Sequence, residues 1–174
     1  MSLPKGYIRI YTGDGQGKTT AALGLGLRAL GHGFTVCLIQ FMKGKKYSEL
    51  YALEKFATFT YHQFGRNEFV SKEKPEQIDI DLAQKGLLFA REILQKGNYD
   101  VVILDEITVA LWFNLLSLDD VIQVCKDKPN QVELILTGRY APPELIHLAD
   151  MVSEILDIKH PYTKGCLGRG GMEW

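Results

Sequence analysis

The feature that most constrains the fold is residues 7–30, where an apolar run, a glycine-rich stretch and a helical pattern follow one another. The run YIRIY predicts a strand, and Leu23, Leu27 and Leu30 recur at helical spacing after Lys18. Between the two lies TGDGQGKTT. A strand, a flexible turn and then Lys-Thr at the start of a helix are the pattern of a phosphate-binding loop.

Each residue type in this loop has a physical task. Glycines let backbone N–H groups surround phosphate oxygens, the lysine neutralises charge, and the threonine hydroxyl reaches a magnesium ion. The general pattern has glycine where this chain has Thr12, so the loop is a variant; an ordinary glycine-rich turn is the alternative interpretation. The candidate triphosphate-binding residues are Gly13, Asp14, Gly15, Gln16, Gly17, Lys18, Thr19 and Thr20.

A second polar feature follows the apolar run VVIL, which ends in Asp105 and Glu106. Two acids at the end of a buried strand are costly unless a cation receives them. In a parallel sheet they would lie at the same edge as the phosphate loop, where ligands bind. We therefore predict that Thr19, Asp105 and Glu106 hold Mg²⁺. The alternative is that the acids only cap a helix.

Strand-like and helical patterns alternate along the chain. Because the strands are apolar on nearly every residue, they are expected to be buried on both faces in a mainly parallel sheet. The prediction is a single α/β domain over residues 1–174, a three-layer sandwich of the P-loop NTPase type (RecA-like). Its six strands are expected at residues 7–11, 35–41, 58–63, 100–106, 132–138 and 151–159, with helices at 18–30, 48–56, 78–96, 117–127 and 142–150.

Charge and cysteine content narrow the function classes. With 20 basic and 21 acidic residues the net charge is −1, so the overall balance favours neither nucleic acid nor a membrane surface as partner. The three cysteines, Cys37, Cys125 and Cys166, lack disulfide or zinc spacing, which is typical of a reducing cytoplasm. We expect no membrane-spanning segment, because two carboxylates interrupt the longest apolar stretch.

Several segments taken together resemble the phosphate-loop family of ATP:corrinoid adenosyltransferases. They are TGDGQGKTTAALGLGLRALGHG, LIQFMKG, VVILDEI, ILTGRYAPPELIHLADMVSEI and KHPYTKGCLGRGGMEW, and they span nearly the whole chain. The displaced first glycine is this family's own form of the loop. The resemblance implies a homodimer that works in adenosylcobalamin synthesis, with a flavoprotein as the suggested electron donor.

The implied reaction transfers no phosphoryl group. Co(I) of a reduced corrinoid attacks C5′ of ATP and intact triphosphate leaves. The resemblance assigns Lys18 and Glu106 as the candidate catalytic residues, and the loop as the triphosphate cradle. Arg139, in the TGR turn, is placed near phosphate or corrinoid; the alternative is a surface salt bridge.

Members of the family use bulky apolar groups to displace the lower axial base of the corrinoid. Their Gly-Phe-x-Trp motif is matched here by HQFGRNEFV, without the tryptophan. Phe69 is therefore the first candidate for this role and Phe64 the second, with Arg66 as a candidate contact to a corrin side chain. Trp112 is a further corrinoid candidate, although its helical spacing beside leucines favours core packing instead.

Two rival functions stay open. One is a phosphate-loop ATPase in which Glu106 activates water; the other is a non-catalytic carrier or sensor. Cobalamin, cobinamide and cobyrinic acid diamide are the alternative corrinoid substrates that the resemblance implies. Because the chain begins close to the first strand, we do not expect the N-terminal helix that covers the site in some relatives.

Overall fold

The computed structural model describes residues 3–161, 165 and 168–172. Strands and helices alternate along almost the whole of this part of the chain. The strands are β1 (Ile8–Thr12), β2 (Val36–Phe41), β3 (Phe59–Phe64), β4 (Val101–Asp105), β5 (Glu133–Thr137) and β6 (Met151–Glu154). The helices are α1 (Lys18–Gly31), α2 (Ser48–Leu53), α3 (Gln77–Lys96), α4 (Ile107–Trp112), α5 (Leu118–Lys126) and α6 (Pro143–Leu148).

The six strands form one sheet in the order β3-β2-β4-β5-β1-β6, and every neighbouring pair is parallel. Every residue of β2, β4 and β5 is buried, as expected for strands covered by helices on both faces. The predicted α/β fold with a parallel six-stranded sheet is thus confirmed. All six carboxyl ends lie along one edge, which is where the polar residues of interest follow the strands.

Helices cover the two faces of the sheet unequally. On one face α1 and α2 pack over alternate residues of the strands, with Leu23, Leu30 and Leu50 against Val36 and Ile103. The other face carries the larger apolar cluster, to which α3, α4, α5 and α6 contribute. The parallel sheet lies between these two helical layers. The loops that follow the strands therefore lie together at the carboxyl edge of the sheet.

Two elements differ from the sequence prediction. α4 was not predicted as a separate helix; it follows Glu106 directly and ends at Trp112. β6 is shorter than predicted and covers only Met151–Glu154, all of it exposed. Its only strand neighbour among the described residues is β1, so it forms one margin of the sheet.

The cysteines within the described residues are consistent with a reduced protein. Cys37 and Cys125 are buried and free. Burial raises the pKa of Cys37 to about 11 and that of Cys125 to about 12, so both remain thiols at neutral pH. Cys166 lies outside the described residues. None of the helices in the described part of the chain combines the length and apolar character needed to cross a bilayer.

Candidate active site at the carboxyl edge of the sheet

The phosphate loop connects β1 to α1 and has the backbone expected of a phosphate cradle. Gly13 and Gly17 both have positive φ, 95° and 116°, which side-chain-bearing residues rarely adopt. Lys18 opens α1 and its side chain turns back over the loop. Its Nζ donates hydrogen bonds to the carbonyl oxygens of Gly13, at 2.7 Å, and Gly15, at 2.6 Å. The only lysine of the loop is therefore held at the centre of the turn.

The chain after β6 explains why the glycines of this loop lie at 13 and 15. Gly15 N–H donates to the carbonyl oxygen of Ile155 at 2.8 Å, so this segment runs directly against the loop. A Cβ at Gly13 would lie 2.4 Å from the Ile155 oxygen, and one at Gly15 would lie 2.6 Å from the Leu156 oxygen. Backbone cannot yield to such contacts as a flexible side chain can, so both positions require glycine.

Asp105 is the buried centre of the site and is fully hydrogen bonded. Its Oδ1 accepts from the hydroxyls of Thr19, at 2.8 Å, and Thr137, at 2.7 Å. Its Oδ2 accepts from Gln40 Nε2 at 2.9 Å and from Lys43 Nζ at 2.7 Å. Burial alone would raise the pKa of Asp105, but the charge of Lys43 and these hydrogen bonds outweigh it and hold the pKa below its ordinary value.

Glu106 sits beside this network in a different environment. Its backbone is left-handed, with φ at 62°, and its N–H donates to Thr137 Oγ1 at 3.0 Å. Burial, followed by the negative charge of Asp105, raises the pKa of Glu106. The two neighbouring acids are thus unlike: Asp105 is held as a carboxylate, whereas Glu106 keeps the greater affinity for a proton.

The structure brings two residues into the site that the sequence analysis did not assign. Gln40 lies beside Asp105 in the register of β2 and β4, and Lys43 follows β2 by two residues. Both belong to the segment LIQFMKG that supported the family resemblance. A glutamine in an otherwise apolar buried strand was the available signal, since a buried amide needs a polar partner.

Two cationic side chains, Lys18 and Arg139, contact carbonyl oxygens of the phosphate loop. Burial, followed by the nearby charge of Arg139, lowers the pKa of Lys18. The Arg139 guanidinium donates to the Asp14 carbonyl oxygen at 3.2 Å, and it is about half exposed. Arg139 therefore lies at the loop, while its 3.9 Å approach to the exposed Asp14 carboxylate is only a loose ion pair. Which ligand it contacts stays a prediction.

The oxygens gathered here fit magnesium. Thr19, Asp105 and Glu106 offer hydroxyl and carboxylate oxygens, the donors that this ion prefers. Within the described residues no three His, Cys, Asp or Glu side chains cluster as a complete metal site. Magnesium characteristically binds through one or two carboxylates together with substrate phosphates, so such an incomplete protein site suits it.

The loop between β3 and α3 carries three corrinoid candidates in very different surroundings. Phe69 is fully exposed. Phe64 ends β3 and packs against Phe89 of α3, with ring centroids 5.6 Å apart. Arg66 donates to both carboxylate oxygens of Asp79, at 2.8 and 2.9 Å, and is also paired with Glu76. Phe69 alone is free of packing, while Phe64 and Arg66 already have structural partners.

Trp112 lies on the surface, so the interpretation that favoured core packing is wrong. Its side chain is 44% exposed and stacks on Tyr140 with ring centroids 4.5 Å apart. The ammonium of Lys72 lies 3.4 Å from the centre of the indole ring. The helical spacing misled because α4 ends at Trp112 and the chain turns at Asn114, which has positive φ. An exposed aromatic pair beside Arg139 suits a ligand-facing role.

The C-terminal segment also reaches the phosphate loop. A ring nitrogen of His160 lies 3.2 Å from the side-chain oxygen of Gln16. The sequence of the glycine-rich tail makes His160 and Tyr162 candidates to help close the site, and the position of His160 is compatible with this prediction. Tyr162 lies outside the described residues.

Known proteins resemble this chain at the level of sequence and of fold. The corrinoid adenosyltransferase of Escherichia coli (strain K12) is 33% identical over 98% of this chain and 86% of that protein. The corrinoid adenosyltransferase CobA of Salmonella typhimurium is 32% identical with the same coverage. An uncharacterized Nostoc protein, all2391, is 38% identical over 95% of this chain, but the chain spans only 47% of that protein's length.

The fold likeness extends to more distant proteins. The crystal structure of the KaiC-like protein PH0186 from Pyrococcus horikoshii superposes with a TM-score of 0.59 at 15% identity, covering 88% of this chain and 74% of that one. This likeness supports the P-loop NTPase fold alone. The family model described as ATP:corrinoid adenosyltransferase BtuR/CobO/CobP matches residues 4–174. The match covers nearly the whole chain, including the phosphate loop and the acid pair Asp105 and Glu106. The chain therefore belongs to the ATP:corrinoid adenosyltransferase family.

Proposed function

We propose that the protein transfers the adenosyl group of ATP to the cobalt of a reduced corrinoid, in adenosylcobalamin synthesis or salvage. The observation that carries this proposal is the hydrogen bond from Thr19 to Asp105, because it joins the phosphate loop to the acid pair in a chain of this family. In the reaction Co(I) supplies an electron pair to C5′, the cobalt–carbon bond forms and the C5′–O bond breaks. Triphosphate leaves with the bonding electrons.

The protein's main task in this reaction is to stabilise the leaving group. The backbone of the phosphate loop binds the triphosphate, and Lys18 supplies positive charge from the centre of the turn. Arg139, which donates to the Asp14 carbonyl oxygen, adds a second positive charge at the loop. Because the loop holds the triphosphate, the C5′ carbon attached to it is presented to cobalt in a restricted orientation. This restriction lowers the entropic part of the activation barrier.

Magnesium is the proposed cofactor, held by Thr19, Glu106 and Asp105 together with the triphosphate. When bound, it supplies further positive charge for the departing triphosphate. Asp105 is well suited to support it because Gln40 and Thr137 fix the orientation of its carboxylate. Glu106 must lose its proton for magnesium to bind, so its raised pKa makes metal binding weaker as the pH falls.

The corrinoid is proposed to lie against the loop that connects β3 and α3. Phe69 is the candidate for displacing the lower axial base, since its ring makes no demand on the fold. Trp112 and its partner Tyr140 offer an exposed aromatic surface for the flat corrinoid. The natural corrinoid, a homodimeric state, a flavoprotein electron donor and a cytoplasmic location remain predictions based on the family.

The decisive experiment combines the protein, magnesium ATP and chemically reduced cob(I)alamin without oxygen. Adenosylcobalamin, recognised by its light-sensitive spectrum, should form together with triphosphate, and Lys18→Ala should abolish both. If ADP and phosphate form whether or not corrinoid is present, the protein is an ATPase with Glu106 as the base. If the protein binds adenosylcobalamin and never makes it, the carrier function replaces the transferase.

A further inference from the structure

Lys43 occupies the position in the site where the proposed magnesium ligands converge. Its ammonium nitrogen lies 2.7 Å from Asp105 Oδ2, 3.5 Å from Thr19 Oγ1 and 3.8 Å from Glu106 Oε1. These are the three side chains whose oxygens fit a divalent cation. An ammonium therefore already lies among the oxygens that a metal would need.

The backbone around Lys43 is built to hold it there. The preceding residue, Met42, has a positive φ of 57°, a conformation that is sterically unfavourable for a residue with a side chain. Its N–H donates to the Phe64 carbonyl oxygen at 3.0 Å. Gly65 approaches so closely that a Cβ added to it would lie 2.3 Å from the backbone nitrogen of Lys43. The end of β3 thus fixes the turn that directs Lys43 back over the sheet.

Lys43 is the counter-ion of the buried Asp105 carboxylate, but that pairing does not describe the whole arrangement. Asp105 also accepts hydrogen bonds from Thr19, Thr137 and Gln40, which hold the carboxylate in one orientation. The fourth donor adds a charge, and that charge faces Glu106 as well. What Lys43 provides beyond a hydrogen bond is a cation at this particular place.

We propose that Lys43 is a tethered cation that occupies the metal end of the site until magnesium enters with ATP. The proposal rests on the proposed function, since it concerns the magnesium of that reaction. It makes Lys43 a positioning residue: it keeps Asp105 and Glu106 arranged for a cation and gives up its place when the triphosphate brings one.

Charge balance explains why the exchange should need ATP. The side chains at the metal end of the site and the neighbouring loop lysine are two acids, Asp105 and Glu106, and two lysines, Lys18 and Lys43, so their formal charges cancel. A divalent ion alone would add two positive charges among nearly buried lysines, where repulsion is strong. Magnesium ATP carries net negative charge, which accommodates both the lysines and the displaced ammonium. Lys43 thereby prevents binding of metal without its nucleotide.

The test measures metal binding directly, with Mn²⁺ as the probe and its free electron paramagnetic resonance signal as the readout. Corrinoid is left out. We expect Lys43→Gln to bind Mn²⁺ in the absence of nucleotide about tenfold or more tightly than the wild type, because a like charge has been removed. The matched control is Lys46→Gln, three residues along, whose ammonium pairs with Glu54 instead. This control should bind Mn²⁺ as the wild type does.

Adding ATP separates the proposal from a general change in affinity. The two proteins should bind the Mn²⁺–ATP complex with more nearly equal affinity, because the triphosphate offsets the charge of the displaced ammonium. ATP itself binds Mn²⁺, so this comparison measures the nucleotide retained by the protein and not the free Mn²⁺ signal. If Lys43→Gln binds Mn²⁺ alone no better than the wild type, the proposal is overturned. The same holds if the advantage of Lys43→Gln is undiminished with ATP.

A second comparison covers the case in which Lys43→Gln does not fold. Glu106→Gln removes one acid, and Glu106→Gln combined with Lys43→Gln restores the balance of these formal charges at the metal end of the site. The double variant should bind Mn²⁺ alone more tightly than Glu106→Gln; equal affinities would refute a competing lysine. A failure of these metal measurements leaves adenosyl transfer untouched, whereas a failure of the proposed function appears as ADP or as no adenosylcobalamin.

Discussion

The hydroxyl of Thr19 and the buried carboxylate of Asp105 lie 2.8 Å apart and connect the first turn of α1 to the end of β4. The two residues are 86 positions apart in the chain. Their contact aligns the phosphate loop with the acid pair before any substrate is present. Substitution of Asp105 should therefore lower the stability of the fold as well as disturb the site.

We expect Asp105→Asn to lower the free energy of unfolding by about 3 kcal/mol, because an amide cannot accept from all four donors and Lys43 loses its closest counter-ion. Urea unfolding measures the change. Asp119→Asn, an exposed position at the start of α5, should stay within about 0.5 kcal/mol of the wild type. Equal stability of the two variants would show that the network around Asp105 does not support the fold.

Gly15→Ala should weaken ATP binding, whereas Gly24→Ala should not. At Gly15 the new Cβ would meet the backbone of residues 155 and 156 at 2.6–2.8 Å, so Gly15→Ala should shift the phosphate loop. We expect magnesium ATP to bind at least about tenfold more weakly, as measured by calorimetry. Gly24→Ala meets nothing within 4 Å in the middle of α1, and should leave ATP binding unchanged while stabilising the protein by about 0.5–1 kcal/mol. Unchanged ATP affinity in Gly15→Ala would contradict the tight packing against the loop.

Phe69→Ala should slow the adenosylation of a corrinoid that has a lower axial base more than that of one without it. If the ring displaces that base, the variant should adenosylate cobalamin about tenfold more slowly, yet handle cobinamide, which has no such base, at the normal rate. Its stability should not change, because the side chain is fully exposed. Phe64→Ala is the contrasting variant: it removes the contact with Phe89 and should unfold more easily. Equal losses on the two corrinoids would assign Phe69 to another task.

Glu106→Gln should remove a pH dependence of stability. Burial and then Asp105 raise the pKa of Glu106 above its ordinary value of 4.5, despite Lys43, Lys18 and Arg139. A carboxyl with a higher pKa in the folded state stabilises the fold below pH 4.5 and loses that contribution as the pH rises through the folded value. The wild type should therefore lose stability relative to Glu106→Gln as the pH rises above 4.5, measured by urea unfolding. A flat difference would mean that Glu106 titrates alike in both states.

The sequence predicted the fold because its local signals agreed. The strand at Val101–Asp105 is wholly apolar up to its acid. The helix predicted at 117–127 is α5, which Ser117 caps by accepting a hydrogen bond from Asp120 N–H. The phosphate loop could also be identified from the sequence, because Gly17 comes after a strand pattern and Lys18 and Thr19 begin a helix. These features depend on neighbours along the chain, which sequence patterns record.

The parts of the site that sequence reasoning missed depend on neighbours across the sheet. Gln40 faces Asp105 only because β2 and β4 pair in one particular register. Lys43 reaches the same carboxylate because Met42 adopts a left-handed turn that its residue type does not indicate. The exposure of Trp112 likewise follows from where α4 ends. Register, backbone strain and helix ends are set by tertiary contacts, so spacing alone did not identify these residues.

The pairing of Arg66 with Asp79 and Glu76 makes the loop that carries Phe69 a separable unit of this chain. It joins the two ends of the loop that carries Phe69, so the nine residues at 67–75 are anchored independently of their own sequence. We therefore expect β3 and α3 to stay in place when that stretch is substituted, shortened or replaced. If the corrinoid binds against this loop as proposed, its specificity can be engineered by exchanging the loop as a unit, with the phosphate loop and the acid pair unchanged.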